Sequence, residues 1–158
     1  MKTIVLTQNK FTIVNNKDFK YLNQFTWFTM KKRNKFYVCG SVNGKKVYMH
    51  RLLLNAKKNQ YVDHINGNPL DNRKQNLRLC SNSENLRNRT KNSNNTSGFK
   101  GVWRNKISKC WIVTLTIKGK SKYFGAFKNK KDAAKAYDKA ALKYYKEFAK
   151  LNFPKDSK

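Results

Sequence analysis

The sequence predicts an α+β fold made of two small modules, in which short antiparallel strands outnumber the helices. Two observations lead to this prediction. β-like runs separated by polar turns fill the first third of the chain, and a strand-rich stretch followed by one amphipathic helix fills the last third. A chain of 158 residues has room for one ordinary domain or two small ones, and this pattern favours two.

The first module begins with short antiparallel strands, expected at residues 3–6, 11–14 and 36–39, which are rich in β-branched and aromatic side chains. The Asn43-Gly44 pair separates two further apolar runs, residues 38–42 and 47–49. It predicts a tight hairpin, because a type I′ turn requires residues that tolerate positive φ.

A polar, turn-rich segment follows at residues 59–76 and ends before a short helix. Ser81 and Glu84 have the spacing of a capping box, so the helix should begin near Ser81 and carry Asn85 in its first turns. Residues 90–97 contain no apolar side chain and are typical of a flexible linker. We therefore expect a first domain at residues 1–89, a linker at 90–97, a second domain at 98–154 and a tail at 155–158.

The second domain should be a three-stranded antiparallel sheet packed on one helix. Residues 111–118 alternate with a period of two, so that Trp111, Val113, Leu115 and Ile117 share one face. Strands are also expected at residues 101–104 and around Tyr123. In the following segment, alanines and tyrosines recur at helical spacing, and the small alanines would let the helix lie close to the sheet.

The charge of the chain points to a polyanionic partner. The 36 Lys and Arg residues against 8 Asp and Glu give a net charge of +28, with an equal excess in residues 1–90 and 91–158. Such charge strengthens phosphate binding but carries no sequence preference. Composition alone is equally typical of ribosomal or nucleoid-associated proteins, so the motifs must decide.

Other features favour a reducing, cytoplasmic setting without membrane attachment. Cys39, Cys80 and Cys110 are too far apart for a Cys-x-x-Cys zinc pair, and three cysteines do not make a disulfide framework. The sequence shows neither a signal peptide pattern nor an apolar run of about 20 residues, the length that a membrane span needs.

The segment from Val62 to Arg78 reads Val-Asp-His-Ile-Asn-Gly-Asn-Pro-Leu-Asp-Asn-Arg-Lys-Gln-Asn-Leu-Arg, and Asn85 follows on the expected helix. It resembles the HNH endonuclease family over roughly residues 48–90, with spacings of 12 from His64 to Asn76 and 9 onward to Asn85. The third family position, often histidine, is asparagine here, as in the His-Asn-Asn subgroup of phage and intron-encoded homing endonucleases. The resemblance implies a small ββα-metal module.

Phosphodiester hydrolysis needs a base to activate water and a hard divalent cation to neutralise charge, which explains these residue types. His64 is the expected base, and the family's equivalent of Asn76 holds the loop that orients it, so both are taken as catalytic. Asp63 and Asn85 are the expected metal ligands, with oxygen chemistry suited to Mg²⁺ or Mn²⁺. For His50 we favour a structural role over a functional one.

Five arginines around the motif are candidate contacts to the DNA backbone, since guanidinium groups bind phosphate well. Arg73 also fits a second role, in which it fixes the loop together with Asp71 and Asn72. The five are Arg51, Arg73, Arg78, Arg87 and Arg89.

The stretch from Ser97 to Pro154 resembles the plant ethylene-response-factor (Apetala-type) DNA-binding domain. It carries Gly-Phe-Lys-Gly-Val at residues 98–102, Tyr-Phe-Gly-Ala-Phe at 123–127 and Ala-Tyr-Asp-Lys-Ala-Ala at 136–141. That family reads the major groove of DNA with its sheet, so the resemblance implies an outward, DNA-facing set. The set comprises Lys100, Trp103, Arg104, Thr114, Thr116, Ser121 and Tyr123. Several family arginines are absent, so a target sequence does not transfer.

These features together predict a metal-dependent endonuclease of the homing type that acts on double-stranded DNA at a site chosen by its second domain. A non-catalytic DNA-binding regulator is the alternative, and an RNA-binding protein is a third interpretation that rests on charge alone. No protein partner is inferred. The sequence leaves open whether one strand or both are cut, and whether the chain acts as a monomer or as a dimer assembled on DNA.

Overall fold

The computed structural model describes residues 1–154 and has the α+β architecture that the sequence predicts. The chain divides into two compact units, one from Met1 to Asn85 and one from Leu86 onward. This division falls slightly before the expected boundary at residue 89, and the expected tail at 155–158 lies outside the described residues. The flexibility of the linker at 90–97 stays a prediction.

The first unit begins with a hairpin and a three-stranded meander. Strands β1 (Lys2–Val5) and β2 (Phe11–Val14) pair with each other and are followed by helix α1 (Asn16–Leu22). Strands β3 (Trp27–Lys32), β4 (Lys35–Val42) and β5 (Lys45–Tyr48) form an antiparallel sheet in the order β3-β4-β5. The predicted Asn43-Gly44 turn between β4 and β5 is confirmed, because both residues have positive φ, 50° and 71°.

One apolar cluster holds these elements together. Trp27 and Met49 are nearly inaccessible, and the indole Nε1 of Trp27 donates to the carbonyl of Leu22 at 2.8 Å. Burial of such side chains supplies most of the stability of a small unit. The cluster comprises Ile4, Leu6, Val14, Leu22, Trp27, Val38, Val42 and Met49.

The segment with the HNH resemblance completes the first unit. Helix α2 (Met49–Leu53) leads to strand β6 (Tyr61–His64), and after a loop and a 3₁₀ turn (Lys74–Asn76), strand β7 (Leu77–Cys80) pairs antiparallel with β6. Helix α3 (Asn82–Arg87) follows. The loop is fastened to the first hairpin, since the amide of Ile13 donates to Leu70 and the carbonyl of Ile13 accepts from Asn72.

The second unit has the predicted three-stranded sheet and helix. Strands β8 (Val102–Arg104), β9 (Trp111–Ile117) and β10 (Lys120–Phe127) are antiparallel in the order β10-β9-β8, and helix α4 (Lys130–Tyr145) packs on one face. A second 3₁₀ turn (Lys146–Phe148) follows α4.

Small residues bring helix and sheet close together in this unit. Ala133, Ala134 and Ala141 have no exposed surface, as the alanine pattern predicts. Gly101 has a φ of 71°, and a Cβ there would lie 2.0 Å from the ring of Tyr137, so only glycine lets that ring pack against the strand. Within residues 1–154, no helix is long and apolar enough to cross a membrane.

Candidate active site and nucleic-acid interface

Asp63 and His64 are the last two residues of β6, and both are buried, each with 6% of its surface exposed. In the strand pairing His64 lies opposite Leu77, and Asp63 lies opposite Arg78. Successive residues of a strand point to opposite faces. Their Cβ atoms therefore lie on opposite faces of the strand, and the electrostatic effect of the Asp63 carboxylate on His64 shows that the two side chains remain near each other.

A chain of hydrogen bonds fixes the imidazole of His64. Its Nε2 lies 3.3 Å from Oδ1 of Asn72, whose Nδ2 donates to Oγ1 of Thr12 at 2.8 Å and to the carbonyl of Pro69 at 3.3 Å. The Thr12 hydroxyl in turn donates to the carbonyl of Leu70 at 2.7 Å. Because the amide nitrogen of Asn72 is committed to two acceptors, its oxygen faces His64. This network therefore places the ring proton on Nε2 and leaves the lone pair of the neutral ring on Nδ1.

The environment of His64 also favours the neutral ring. Burial lowers the pKa of His64 below its ordinary 6.5, and the positive charge of Lys35 acts in the same direction. The hydrogen bond to Asn72 and the carboxylates of Asp63 and Asp71 oppose this shift, but burial outweighs them. A neutral imidazole near pH 7 is the form that can accept a proton.

Asn76 connects the two ends of the loop that follows His64. Its Oδ1 accepts from the amide of Asn66 at 3.0 Å, and its Nδ2 donates to Oδ1 of Asn66 at 3.1 Å and to the carbonyl of Asp71 at 2.8 Å. Its own carbonyl accepts from the amide of Ile65 at 2.9 Å. Asn76 is thus placed to hold the loop, as the resemblance implies, and its contribution to catalysis stays a prediction.

Asp63 forms a tight ion pair with its cross-strand partner. Nε and Nη2 of Arg78 both donate to Oδ2 of Asp63, at 3.0 and 2.7 Å, and the two side chains are only 16% and 7% exposed. The sequence predicts a contact of Arg78 with DNA phosphate and gives no sign of this ion pair. The antiparallel register of β6 and β7 sets Asp63 opposite Arg78, and knowledge of this register would have revealed the pair.

Asn85 is carried by α3, whose start is the predicted capping box. The hydroxyl of Ser81 accepts from the amide of Glu84 at 3.2 Å, and the Glu84 carboxylate accepts from the amide of Ser81 at 2.8 Å. This confirms the predicted helix start. The cap sets the helix beside β7, where the Asn85 backbone bonds to the thiol of Cys80.

The thiol of Cys80 interacts with both residues that are expected to bind a metal, with Asp63 through its charge and with Asn85 through its backbone. Burial and then the nearby carboxylates of Asp63 and Glu84 raise the pKa of Cys80 to about 11, while the bond from the Asn85 backbone lowers it. Cys80 and Asp63 occupy alternate positions of one face of the β6–β7 hairpin, through the pairs Tyr61–Cys80 and Asp63–Arg78. Asp63 and Asn85 are therefore both neighbours of Cys80.

The donor chemistry of Asp63 and Asn85 fits a hard divalent cation. A carboxylate and a carboxamide oxygen are ligands that Mg²⁺ and Mn²⁺ accept, with further positions left for water and phosphate. The guanidinium of Arg78 stands in for a cation on Oδ2 of Asp63, so this position stabilises positive charge. Within residues 1–154, no three His, Cys, Asp or Glu side chains lie together in a group suited to a metal.

Two other arginines of the first unit are engaged by the protein itself. The Arg73 guanidinium forms a two-pronged pair with Asp71, at 2.7 and 2.6 Å, and this pairing lowers the pKa of the Asp71 carboxyl. Arg51 donates to three backbone carbonyls, those of Ala56, Lys57 and Gln60. Both arginines stabilise loops, and their contacts with DNA stay predictions.

His50 packs beside the candidate base. Its ring is 8% exposed and lies 5.1 Å from the ring of His64 in an edge-on arrangement, with Tyr48 at 5.4 Å on another side. Burial, followed by the neighbouring His64 and Arg51, lowers the pKa of His50 to about 3. The ring is therefore neutral, as suits the structural role that the sequence favours.

In the second unit, the arginine that ends α3 and the arginine that follows it differ in their surroundings. The Arg87 guanidinium lies 5.1 Å from the ring centre of Tyr145, and its backbone carbonyl accepts from Nζ of Lys100. Arg89 is exposed. The resemblance implies that Lys100 faces outward, but the residue is half-buried. Burial, followed by Lys150 and Arg89, lowers the pKa of Lys100 to about 8.

The outward face of the sheet is neutral and partly aromatic. Strand pairing puts Trp103 opposite Ile112, Tyr123 opposite Thr114, and Ser121 opposite Thr116, so these side chains share the face away from α4. Trp103 is 46% exposed and Tyr123 is 64% exposed. Five of the seven residues predicted to face outward thus lie together: Trp103, Thr114, Thr116, Ser121 and Tyr123.

Arg104 lies on the other face. It pairs with Trp111, which packs against the core, and its guanidinium lies 5.4 Å from the centre of the Trp111 ring. The period of two explains the difference, because Arg104 follows Trp103 directly. The resemblance implies one outward set for Trp103 and Arg104, but adjacent residues of a strand lie on opposite faces.

Residues 47–95 match the family model described as HNH endonuclease. Protein 3.8 of Escherichia phage T7 is 43% identical over 67 residues, which cover 42% of this chain and 55% of that protein. The chain therefore contains a segment of HNH endonuclease type and has a phage relative.

Two AP2-like ethylene-responsive transcription factors of Arabidopsis thaliana are each 50% identical to the chain over 44 residues. These matches cover 28% of the chain but only 14% and 13% of the plant proteins. This chain thus spans about half of the phage relative and a small part of the plant relatives. No solved structure matches.

Proposed function

We propose that this protein is a metal-dependent endonuclease of the homing type, which hydrolyses double-stranded DNA at a site selected by its second unit. The observation that carries the proposal is the fixed imidazole of His64. Its ring is neutral, its tautomer is set by Asn72, and it adjoins Asp63 in a segment of HNH endonuclease type.

In this mechanism Nδ1 of His64 accepts a proton from water, and the water oxygen forms a new bond to phosphorus. The bond between phosphorus and the 3′ oxygen breaks, and the departing oxygen takes a proton from solvent. Mg²⁺ or Mn²⁺ held by Asp63 and Asn85 would supply neutralisation of the charge on phosphate. Asn72 keeps the His64 proton on Nε2, and Asn76 holds the loop behind the base.

Site selection is proposed for the neutral sheet face of the second unit. The major groove admits β-structure, and hydroxyl and aromatic side chains contact base edges and the thymine methyl group. Thr114, Thr116 and Ser121 supply hydroxyls there, and Trp103 and Tyr123 supply exposed rings. Cations beside the face, rather than on it, would hold the DNA backbone.

A second function is favoured by one observation, the engagement of Asp63 by Arg78. A carboxylate that already has a cationic partner is what a DNA-binding protein without catalysis would retain. In that case the chain binds DNA through both basic units and cuts nothing.

Cleavage of supercoiled plasmid carrying the DNA that flanks the gene separates the two functions. The wild-type protein should produce nicked or linear DNA with Mg²⁺ or Mn²⁺ and none with EDTA, and the ratio of the two products tells whether one strand or both are cut. His64→Ala should abolish cleavage while DNA binding, measured by fluorescence anisotropy, stays within about twofold. Trp103→Ala is the matched variant, and it should weaken site preference but leave metal-dependent nicking.

Two results would overturn the proposal that the protein is an endonuclease. One is metal-dependent cleavage by highly purified His64→Ala protein at the wild-type rate. The other is tight DNA binding by wild-type protein with no cleavage under any divalent ion, which would establish the non-catalytic function.

A further inference from the structure

Asp63, the candidate metal ligand, already forms an ion pair with Arg78 in the metal-free protein. The two residues face each other across the β6–β7 hairpin, and two guanidinium N–H groups donate to a single carboxylate oxygen, Oδ2. Both side chains are largely shielded from water, at 16% and 7% exposure. This arrangement is an ion pair of the strong, charge-assisted kind.

A divalent cation and this guanidinium cannot both bind Oδ2 of Asp63 without a large cost. Like charges a few ångströms apart repel, and the repulsion is stronger where water is excluded. The cation must therefore displace Arg78 from Oδ2 or bind with its charge opposed. Displacement costs the free energy of the ion pair and co-occupancy costs the repulsion between like charges, so in either case Arg78 weakens metal binding.

We propose that Arg78 competes with the divalent cation for Asp63, so that the guanidinium occupies the site of the metal-free protein and must move for the metal to bind. This inference rests on the proposed function only for the assignment of Asp63 as a metal ligand. It assigns Arg78 a role in setting metal affinity that differs from the phosphate contact expected from the sequence. The displaced guanidinium keeps its donors for another partner.

The opposite effect is what a supporting role would produce. If Arg78 orients Asp63 for the metal, removal of the guanidinium leaves a less ordered carboxylate and weakens metal binding. Competition predicts instead that removal of the guanidinium makes metal binding tighter. The sign of one measurement therefore separates the two roles.

The experiment measures binding of Mn²⁺ alone to the full chain, without DNA, by the loss of the free-ion signal in electron paramagnetic resonance. Arg78→Gln should bind Mn²⁺ about tenfold more tightly than wild type, which corresponds to about 1.4 kcal/mol. Asp63→Asn should lose this binding, which locates the ion. Arg33→Gln is the charge control, because Arg33 is exposed in the β3–β4 turn, and its affinity should stay within about twofold.

A second measurement keeps the test decisive if Arg78→Gln folds poorly, as circular dichroism would reveal. In wild-type protein, the side-chain Nε–H resonance of Arg78, identified by its loss in Arg78→Lys, should shift as Mg²⁺ is added and level off with the same midpoint as binding. A resonance that stays in place while Asp63-dependent binding saturates would overturn the proposal. Equal or weaker Mn²⁺ binding by folded Arg78→Gln would overturn it too.

These outcomes are distinct from failure of the proposed function. If the wild-type protein cleaves DNA and Arg78→Gln has unchanged Mn²⁺ affinity, the competition is refuted and the proposed function stands. If Arg78→Gln binds Mn²⁺ more tightly through Asp63 but no DNA is cleaved, the competition is supported and the proposed endonuclease function is refuted. Absence of Asp63-dependent Mn²⁺ binding in both wild type and Arg78→Gln refutes the competition.

Discussion

Thr12 is far from the motif in sequence, yet its hydroxyl controls the orientation of Asn72 and hence the tautomer of His64. It accepts from Nδ2 of Asn72 at 2.8 Å and is fully buried. Without this acceptor, one N–H of the Asn72 amide loses its partner, and only the bond to the Pro69 carbonyl still directs the amide oxygen at His64. The candidate base therefore depends on a residue of the first hairpin.

Thr12→Val should lower the rate of DNA cleavage about tenfold or more, because it leaves a buried amide donor without a partner, a loss of about 1–3 kcal/mol. Single-turnover cleavage measures the rate, and the ¹⁵N shifts of the His64 ring report the tautomer. Thr12→Ser is the matched control, since it keeps the hydroxyl, and its tautomer should be that of the wild type. A wild-type tautomer in Thr12→Val would contradict the network.

Lys100 makes the stability of the protein depend on pH. Its folded-state pKa of about 8 lies below the 10.5 of an ordinary lysine, so between these values the folded chain binds fewer protons than the unfolded chain. Stability rises with pH wherever the unfolded state binds more protons. The buried ammonium therefore costs stability at pH 7, and this cost disappears as pH rises from about 8 to 10.5.

Urea unfolding of wild type and Lys100→Met tests this linkage. The free energy of unfolding of wild type, relative to Lys100→Met, should increase by roughly 1 kcal/mol between pH 7 and 10, a value reduced from the full shift because the side chain is only part-buried. Lys139→Met, at an exposed position of α4, should show no such change relative to wild type. If the free energy of unfolding of wild type relative to Lys100→Met falls as pH rises, the proposed linkage is wrong.

At the level of elements, the hydroxyl of Tyr145 completes the edge of β9. Strand β8 pairs only as far as Val113, and beyond it Tyr145 accepts from the amide of Thr116 and donates to its carbonyl, both at 3.0 Å. One side chain thus replaces a missing strand partner. Unpaired edge groups otherwise invite pairing with another chain.

Tyr145→Phe should destabilise the second unit by about 1–3 kcal/mol, because it leaves two backbone groups of Thr116 without their partner. Urea unfolding followed by Trp fluorescence measures this loss, and light scattering detects association through the exposed edge. Tyr144→Phe removes the same atom from the neighbouring, exposed tyrosine and should cost less than about 0.5 kcal/mol. Equal stability of the two variants would show that the edge pairing contributes nothing.

Local rules predicted the elements well because each rule concerns neighbouring residues. The Asn43-Gly44 turn, the capping box at Ser81 and the alternation of β9 depend on positive φ, a side-chain cap and a period of two. The same rules could not place Lys100 or Thr12, whose partners are fixed only when separate segments pack. Their surroundings depend on tertiary structure, which no local pattern encodes.

The candidate site was predictable in its residue types but not in its contacts. The spacing of His64, Asn76 and Asn85 carried the resemblance, yet it could not reveal the ion pair between Asp63 and Arg78. That pair depends on the register of β6 and β7. Asp138 shows the same limit, because its buried carboxylate accepts from the amides of Asn152 and Phe153, which return to α4 from the end of the described chain.

At the scale of the whole molecule, we expect charge and the neutral sheet face to make separate contributions to DNA binding. The net charge of +28 predicts affinity that falls steeply with salt, since each neutralised phosphate releases a counterion. The outward face, however, carries no charged side chain among its paired positions Trp103, Ile112, Thr114, Thr116, Ser121, Tyr123 and Ala126. Lysines at the β9–β10 turn, Lys118 and Lys120, stand at its end.

The two contributions should separate in the slope of log affinity against log salt. Removal of Lys118 and Lys120 together, as Lys118→Gln/Lys120→Gln, should reduce the steepness of the slope by roughly 2, because each phosphate contact contributes about 0.9. Tyr123→Ala should weaken binding at every salt concentration and leave the slope unchanged, since a ring that contacts bases releases no counterion. Fluorescence anisotropy on one duplex between 50 and 200 mM salt measures both. A slope altered by Tyr123→Ala and unaltered by the lysine pair would reverse this assignment and place the phosphate contacts on the sheet face.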